Sequence, residues 1–164
     1  MSALSEAQAV RKFMKIGGQT VGHFNVQQTL LHLGLMCEEM AETMEVVRDG
    51  GVDGINTQDL TELVGILKRV GDGFKLGRHQ GDLMRSNYEK LMDGMIDTAW
   101  VSLGAAWSFG DCYGAFTEVI RANMSKFPDG VAVRDNNGKI MTPAGWREAD
   151  LSPYVPVKPD STDR

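Results

Sequence analysis

An uncharged run of thirteen residues constrains the fold of this chain more than any other feature. Residues 98–110 read TAWVSLGAAWSFG and contain no Asp, Glu, Lys or Arg. At helical spacing, the face that carries Trp100 and Gly104 continues back to Asp97, so a helix across this region is apolar nearly all the way round. Such a helix is stable when it is buried, and we therefore expect other helices to pack around it.

Hydrophobic spacing predicts further helices, and no alternation of strands with helices is visible. Helical periodicity covers residues 5–15, 26–47, 57–75, 82–109 and 111–126, with Asp111 as a capping residue for the last of these segments. Four or five helices with short connections predict an all-α fold, a helical bundle.

The C-terminal part of the chain has a different character. Residues 131–133 and 139–141 are short apolar segments on either side of an Asn-Asn-Gly turn, which predicts a small β-hairpin. Four of the five prolines lie between Pro143 and Pro159, and this spacing predicts an extended tail. We expect one domain over residues 1–142, including the hairpin, and a Pro-rich extended tail over residues 143–164.

Composition excludes several classes of partner. The net charge of −5 and pI near 5.2 disfavour a nucleic-acid polymer, although metal ions can still bridge a single nucleotide to an acidic pocket. No apolar segment resembles a signal peptide or a membrane span, because even the uncharged residues 16–37 contain several Gln, Asn and His. Cys37 and Cys112 stand alone in apolar contexts, which favours small core residues in a reduced, cytoplasmic protein.

A first acidic cluster lies in the segment at residues 26–47. Glu38 and Glu42 are four residues apart and Glu39 and Glu42 three apart, so on a helix their side chains are neighbours. Like charges at this spacing repel one another, and no basic residue follows until Arg48. Two interpretations remain open: a solvated acidic face, or carboxylates that share a nearby cation.

A second acidic pair precedes the uncharged run. Asp93 and Asp97 are four residues apart, at the end of the apolar helix where burial would require cations. Carboxylates from two helices make an oxygen-rich site that suits Mg²⁺, with Mn²⁺ as an alternative. A di-iron site fits less well because no histidine follows a glutamate by three residues, and zinc would require grouped Cys or His ligands.

Basic and amide side chains lie near the end of the segment at residues 111–126. Asn123 and Lys126 are three residues apart and can face one pocket, and Arg121 adds a second positive charge. Positive charge at this position also complements a helix C-terminus, and that simpler interpretation is open as well.

Taken together, these segments resemble the all-α nucleoside triphosphate pyrophosphohydrolases, the MazG-like and phosphoribosyl-ATP pyrophosphohydrolase-like superfamily. The resemblance begins near Val10-Arg11-Lys12-Phe13 with Gly18-Gln19, and it is carried further by LMCEEMAETMEVV, DGMIDTAWVSLGAAWSFG, VIRANMSK, NNGK and TPAGW. It covers most of the chain but leaves residues 50–85 and the last dozen residues poorly matched.

The resemblance implies hydrolysis of a (d)NTP to the (d)NMP and pyrophosphate, with Mg²⁺ ions held against the triphosphate. Glu38 would orient or deprotonate the attacking water. The implied metal ligands are Glu39, Glu42 and Asp97, and the implied nucleotide contacts are Asn123 and Lys126. We add Asp93 as a candidate ligand and Arg121 as a candidate substrate contact. The resemblance also implies a homodimer or homotetramer with a shared helical core.

One position departs from the pattern common in this family. Many members have Glu-x-x-Asp on the second acidic helix, whereas Gly94 occupies the place of that glutamate here. Asp93 could supply the missing oxygen, and the Asp-x-x-x-Asp form resembles a phage-associated branch. Two alternatives therefore stay open: hydrolysis of phosphoribosyl-ATP or another pyrophosphate-linked nucleotide, and a helical bundle that binds nucleotide without turnover.

Overall fold

The computed structural model describes residues 5–77, 87–135 and 140–157. These residues are all-helical and contain no extended strand, which confirms the predicted fold class. The α-helices in these ranges are α1 (Glu6–Ile16), α2 (Val26–Gly50), α3 (Thr57–Lys75), α4 (Tyr88–Phe109) and α5 (Cys112–Met124), and Ser152–Tyr154 form a short 3₁₀ helix. None of these helices is long and apolar enough to cross a membrane.

Side-chain caps explain where the helices begin. Asn25, Asn56, Asn87 and Asp111 each accept a hydrogen bond from a backbone N–H of the helix that follows, and Ser5 forms a capping box with Gln8. The predicted cap at Asp111 is confirmed. The fourth helix begins at Tyr88 rather than near residue 82, and residues 82–86 lie outside the described ranges.

Contacts divide the chain into two compact units. One unit is formed by Gly22–Ser86 and contains α2 and α3. The other is assembled from Met1–Val21 and Asn87–Arg164 and contains α1, α4, α5 and the 3₁₀ helix. We call them the α2–α3 unit and the α1–α4–α5 unit.

The two helices of the α2–α3 unit form an antiparallel pair with a very close crossing. Gly51 ends α2 in the left-handed conformation (φ 67°), which a residue without Cβ adopts freely. The crossing lies at Gly34 and Gly71, both buried. A Cβ atom on Gly34 would lie 2.8 Å from the backbone oxygen of Gly71, so glycine allows these backbones to approach. Leu30, Ala41 and Val64 are buried in this unit.

The α1–α4–α5 unit has a small core between α1 and α5. Ala9, Cys112, Ala122 and Phe127 are its buried apolar residues, and the ring of Phe127 packs 4.9 Å from that of Phe13. The expectation that Cys112 is a core residue is confirmed, whereas Cys37 in the other unit is half-buried, and burial raises the pKa of its thiol.

The described part of the C-terminal tail packs along α5. Trp146 Nε1 donates to the carbonyl of Ala122 at 2.7 Å. The backbone N–H of Asp111 donates to the carbonyl of Tyr154 at 2.9 Å. Hydrogen bonds at Trp146 and Tyr154 therefore tie this part of the tail to α5.

The predicted β-hairpin is not formed. In residues 131–135 and 140–142 the pairing is an isolated antiparallel bridge between Arg134 and Ile140, supported by one hydrogen bond from Met141 N–H to the carbonyl of Val133. Val131 and Val133 are exposed, and two short segments without a packed face rarely form a stable pair of strands. The predicted turn at residues 136–139 lies outside the described residues.

The expected burial of the apolar helix is also wrong for this single chain. No residue of α4 is buried, and Trp100 and Trp107 are 78% and 60% exposed. Within its unit α4 contacts α5, but α5 has 13 residues and α4 has 22. At about 1.5 Å per residue the shorter helix spans little more than half of the longer one, so most of α4 stays uncovered by it.

Candidate functional site

A polar cavity of about 250 Å³ opens on the surface of the α2–α3 unit. We call it the charged pocket, and define it by the residues that line it: Glu38, Glu42, Lys68, Gly71, Asp72 and Lys75. The close crossing at Gly71 brings the acidic face of α2 against the basic residues of α3. The pocket therefore combines carboxylate and ammonium groups in one cavity.

Lysine side chains of α3 form ion pairs with two glutamates of α2. Lys75 Nζ lies 3.2 Å from Glu38 Oε2 and 3.2 Å from Asp72 Oδ1, and Lys68 Nζ lies 2.7 Å from Glu45 Oε1. Glu38 comes before Glu45 on α2, whereas its partner Lys75 comes after Lys68 on α3. This reversed order is the one expected for antiparallel helices. For Glu38, the nearby cation is thus an ammonium group of this chain.

The bridging position of Lys75 keeps this side chain charged. Burial lowers the pKa of Lys75, but the hydrogen bonds and charges of Glu38 and Asp72 oppose this effect and leave the pKa raised overall. The pocket lining then carries three carboxylates against two ammonium groups. A further positive charge is therefore needed before an anionic ligand such as a triphosphate can bind there favourably.

The predicted metal ligands of α2 do not all face this pocket. Glu42 lines it together with Glu38, the predicted catalytic residue, whereas Glu39 is exposed and is not among the lining residues. Sequence reasoning missed Lys68, Asp72 and Lys75, which recur at helical spacing on α3. This helical spacing of charged residues could have indicated that α3 places its lysines against the acidic side of α2.

The predicted ligands of the second acidic pair lie in the other unit. Asp93 and Asp97 are on α4, and both side chains are exposed. Gly94 between them has open space where a Cβ atom would stand. Within residues 5–77, 87–135 and 140–157, no group of three His, Cys, Asp or Glu side chains is arranged to hold a metal ion.

The carboxylates of the charged pocket are of the oxygen type that a hard cation prefers, but they do not form a group arranged to hold one. The acidic side chains of the pocket offer carboxylate oxygens and no sulfur or imidazole nitrogen, and such oxygens are the ligands that Mg²⁺ prefers. Two of the three carboxylates are bridged by Lys75. A divalent cation that binds to Glu38 would therefore compete with this ammonium group.

Arg121, one of the predicted substrate contacts, is held by Glu118 and Glu148, an arrangement that we call the clamp. Its guanidinium donates to both carboxylate oxygens of Glu118, at 2.8 and 2.6 Å, and to the backbone carbonyl of Glu148 at 3.0 Å. The N–H of Asp150 donates to the same carboxylate at 3.1 Å. These bonds to Arg121 and Asp150 lower the pKa of Glu118 to about 2. The clamp fixes the tail on α5, which is a structural use of Arg121.

The other two predicted substrate contacts, Asn123 near the end of α5 and Lys126 just after it, have different surroundings. Lys126 Nζ lies 5.2 Å from the centre of the Trp146 ring, a cation–π distance. Asn123 contributes to an apolar cavity of about 220 Å³, the α1–α5 groove, which is lined by Ala9, Val10, Phe13, Phe116, Val119, Ile120, Asn123 and Met124. Asn123 is thus the one polar residue among those that line this groove.

Sequence and structure comparisons add no relative to this picture: no protein-family model matches the chain, and no curated protein or solved structure matches it.

Proposed function

We propose that this chain is a cytoplasmic, Mg²⁺-dependent nucleoside triphosphate pyrophosphohydrolase that converts a (d)NTP to the (d)NMP and pyrophosphate. The observation that carries the proposal is the charged pocket, where Glu38 and Glu42 share one cavity with the ammonium groups of Lys68 and Lys75. Carboxylates that hold cations and lysines that hold phosphates are the two kinds of group this reaction needs. The family resemblance supports the same activity.

Each predicted residue has one role in this proposal. Bound Mg²⁺ would neutralise the triphosphate and polarise the phosphorus–oxygen bond that breaks. Glu38 takes a proton from the attacking water, after its bond to Lys75 has opened. The metal ligands in this proposal are Glu39, Glu42, Asp93 and Asp97, and Asn123, Lys126 and Arg121 are assigned to the nucleoside and the phosphates.

A second candidate function is favoured by one observation. Lys75 bridges Glu38 and Asp72 and so occupies carboxylates that a cation would use. If the ammonium group of Lys75 stays between Glu38 and Asp72, the protein would bind nucleotide without hydrolysing it. Such a protein would show nucleotide affinity that does not depend on Mg²⁺, and it would release no pyrophosphate.

Pyrophosphate release from a panel of NTPs and dNTPs tests the proposal. We expect release with Mg²⁺ or Mn²⁺ and none with EDTA, and the panel also identifies the base and sugar. Phosphoribosyl-ATP belongs in the same panel because it is the alternative substrate. No release from any member by folded protein with metal present would overturn the proposed activity.

Carboxylate variants test the assigned residues. Glu39→Gln and Asp97→Asn remove negative charge with little change in size, and we expect each to lower turnover by at least about 100-fold, since metal-linked carboxylates contribute several kcal/mol to such reactions. Glu62→Gln is the matched control, because Glu62 is an exposed carboxylate on α3 that does not line the pocket. Full activity in either test variant would remove that residue from the site.

We further propose that the chain works as a homodimer or homotetramer. What supports this is the exposed apolar surface of α4, which includes Ile96, Trp100 and Trp107. The two tryptophans alone expose roughly 350 Å² at typical aromatic areas, already within the range of the largest apolar patch on an ordinary monomer. A second copy of α4 is the proposed occupant of this surface.

A further inference from the structure

Helix α4 has one side that the rest of the chain partly covers and an opposite side that it leaves open. Leu91 and Met95 are one helical turn apart and both are half-buried. Trp100, Gly104 and Trp107 follow at helical spacing on the opposite side, and all three are exposed. The apolar surface of α4 is therefore a single stripe that faces away from its own chain.

Charge is confined to the first half of this helix. Three acidic residues and one basic residue lie between positions 89 and 97, whereas positions 98–109 carry no charge. Asp93 and Asp97 lie seven and three residues before Trp100, so they share the exposed side with it. A partner that covers the tryptophans at low electrostatic cost must therefore keep its own carboxylates away from these two aspartates.

We propose that two copies of the chain pair through antiparallel α4 helices, with Gly104 of each copy at the centre of the contact. Position 104 is the middle of the uncharged residues 98–110, so this register lays that run of one copy fully against the same run of the other. Trp107 of each copy then lies opposite Val101 of the other. The inference rests on the self-association proposed above and adds the direction and register of the pairing.

Electrostatics decides between the two possible directions. A parallel symmetric pair would hold each aspartate next to its own copy at the helix spacing of about 8–10 Å, which is close to the screening length of about 8 Å at physiological salt. In the antiparallel pair each Asp97 lies seven residues from the centre, so the two copies are about 21 Å apart along the axis. Antiparallel helices also oppose their dipoles, which favours the same direction.

The space at Gly104 and the area of the tryptophans suit a second copy. Among the described residues, no atom beyond the neighbours of Gly104 in the helix lies within 4 Å of the place where its Cβ would stand. Two copies of Trp100 and Trp107 would cover roughly 700 Å² at typical aromatic areas, out of about 1,600 Å² in a stable interface. In this register the aspartates of the two copies lie at opposite ends of the contact, so each copy keeps its own pair of proposed metal ligands.

Photo-crosslinking of the full chain tests the direction and the register. The photoreactive amino acid p-benzoylphenylalanine in place of Trp107 keeps an aromatic side chain at the contact and bonds to a neighbouring residue on irradiation. We expect a covalent dimer in which this side chain is joined to positions 98–103 of the other copy, as located by mass spectrometry. The same amino acid in place of Val46, an exposed apolar residue on α2, is the matched control and should give no covalent dimer. Bonds to positions 105–110, or no covalent dimer from a protein that light scattering shows to be dimeric, would overturn the proposed pairing.

The dissociation constant of the dimer gives an independent electrostatic test. Asp97→Asn should change this constant by less than about twofold, because the two copies of Asp97 are separated by more than two screening lengths. An association that becomes severalfold tighter would show that the two carboxylates lie close together, as in a parallel pair, and the antiparallel direction would then be wrong. Sedimentation equilibrium measures the constant.

The results separate this inference from the proposed activity. A dimer with the expected crosslink that releases no pyrophosphate leaves the pairing in place and removes the activity. Release of pyrophosphate by a protein that has the single-chain mass at every concentration removes the pairing and leaves the activity in place. Unchanged far-ultraviolet circular dichroism and melting temperature show that each variant is folded.

Discussion

At the scale of single residues, Glu118 shows how one carboxylate fastens the C-terminal segment to α5. It accepts two hydrogen bonds from Arg121 and one from the N–H of Asp150, and these bonds lower its pKa to about 2 from an ordinary 4.5. A carboxylate whose pKa is depressed in the folded state stabilises that state above its unfolded pKa. That contribution disappears as the pH falls from about 4.5 towards 2.

This depressed pKa predicts a change in acid stability. In Glu118→Gln, the melting temperature should be lower at neutral pH and should fall less steeply than that of the unmodified protein between pH 4.5 and about 2. The matched control is Glu148→Gln, because the backbone carbonyl of Glu148, and not its side chain, accepts from Arg121. Equal pH profiles for Glu118→Gln and the unmodified protein would show that the clamp does not contribute to stability.

Single residues also mark the limit of what the sequence could predict of the site. The spacing of Glu38 and Glu42 predicted a shared face, and the two residues do line one cavity. The cation that this face requires could not be identified, because Lys75 lies far away in sequence and reaches Glu38 only through helix packing. Similarly, the role of Arg121 depended on a tail whose path has no periodic signal.

At the scale of elements, the distance between α2 and α3 is set by glycine. A Cβ atom on Gly34 would stand 2.8 Å from the backbone oxygen of Gly71 and 2.7 Å from Cγ of Lys75. The lysine stem can adjust, but the backbone of α3 can yield only if the helices separate. The crossing at these two glycines therefore also sets the width of the charged pocket, which Gly71 lines.

Glycine-to-alanine variants test this packing. Gly34→Ala should lower the free energy of unfolding by about 1–3 kcal/mol, because overpacking at the crossing exceeds the gain in helix propensity. Gly65→Ala on α3 is the control, since its nearest neighbour is the flexible end of Arg69 at 3.3 Å, and it should raise the same free energy by about 0.5–1 kcal/mol. Urea titration measures both, and a stabilised Gly34→Ala protein would contradict the close crossing.

Helices were more predictable than the hairpin because their signals are local. Asp111 and the apolar spacing of α5 placed that helix to within a few residues. The hairpin needed a packed face for its two segments, and Val131 and Val133 remain exposed in the folded chain. Whether an alternating segment becomes a strand is decided by such tertiary contacts, which the pattern itself does not contain.

At the scale of the whole molecule, the surface of α4 predicts self-association. The helix is apolar on most of its circumference, yet none of its residues is buried in the single chain. A stable interface buries about 800 Å² per partner, and Trp100 and Trp107 supply nearly half of that area at typical side-chain sizes. The sequence predicted that this helix is buried, and that prediction is wrong for the single chain, because no residue of α4 is buried in it.

Light scattering coupled to size-exclusion chromatography measures this association. The unmodified protein should elute as a dimer or tetramer of the 18.0 kDa chain, and Trp100→Glu should shift it towards the single-chain mass. Val46→Glu is the control, because Val46 is an equally exposed apolar residue on α2 and should leave the mass unchanged. A single-chain mass for the unmodified protein at every concentration would refute the proposed association.

The discontinuous make-up of the α1–α4–α5 unit has a consequence for synthesis on the ribosome. The ring of Phe13 on α1 packs against that of Phe127, beyond the end of α5, and the whole α2–α3 unit is encoded between them. At about 5–20 residues per second, α1 emerges several seconds before its partner exists. The intervening antiparallel pair can meanwhile close through contacts that are local in sequence. The α2–α3 unit should therefore fold first during synthesis, and α1 can pack only after Phe127 has emerged.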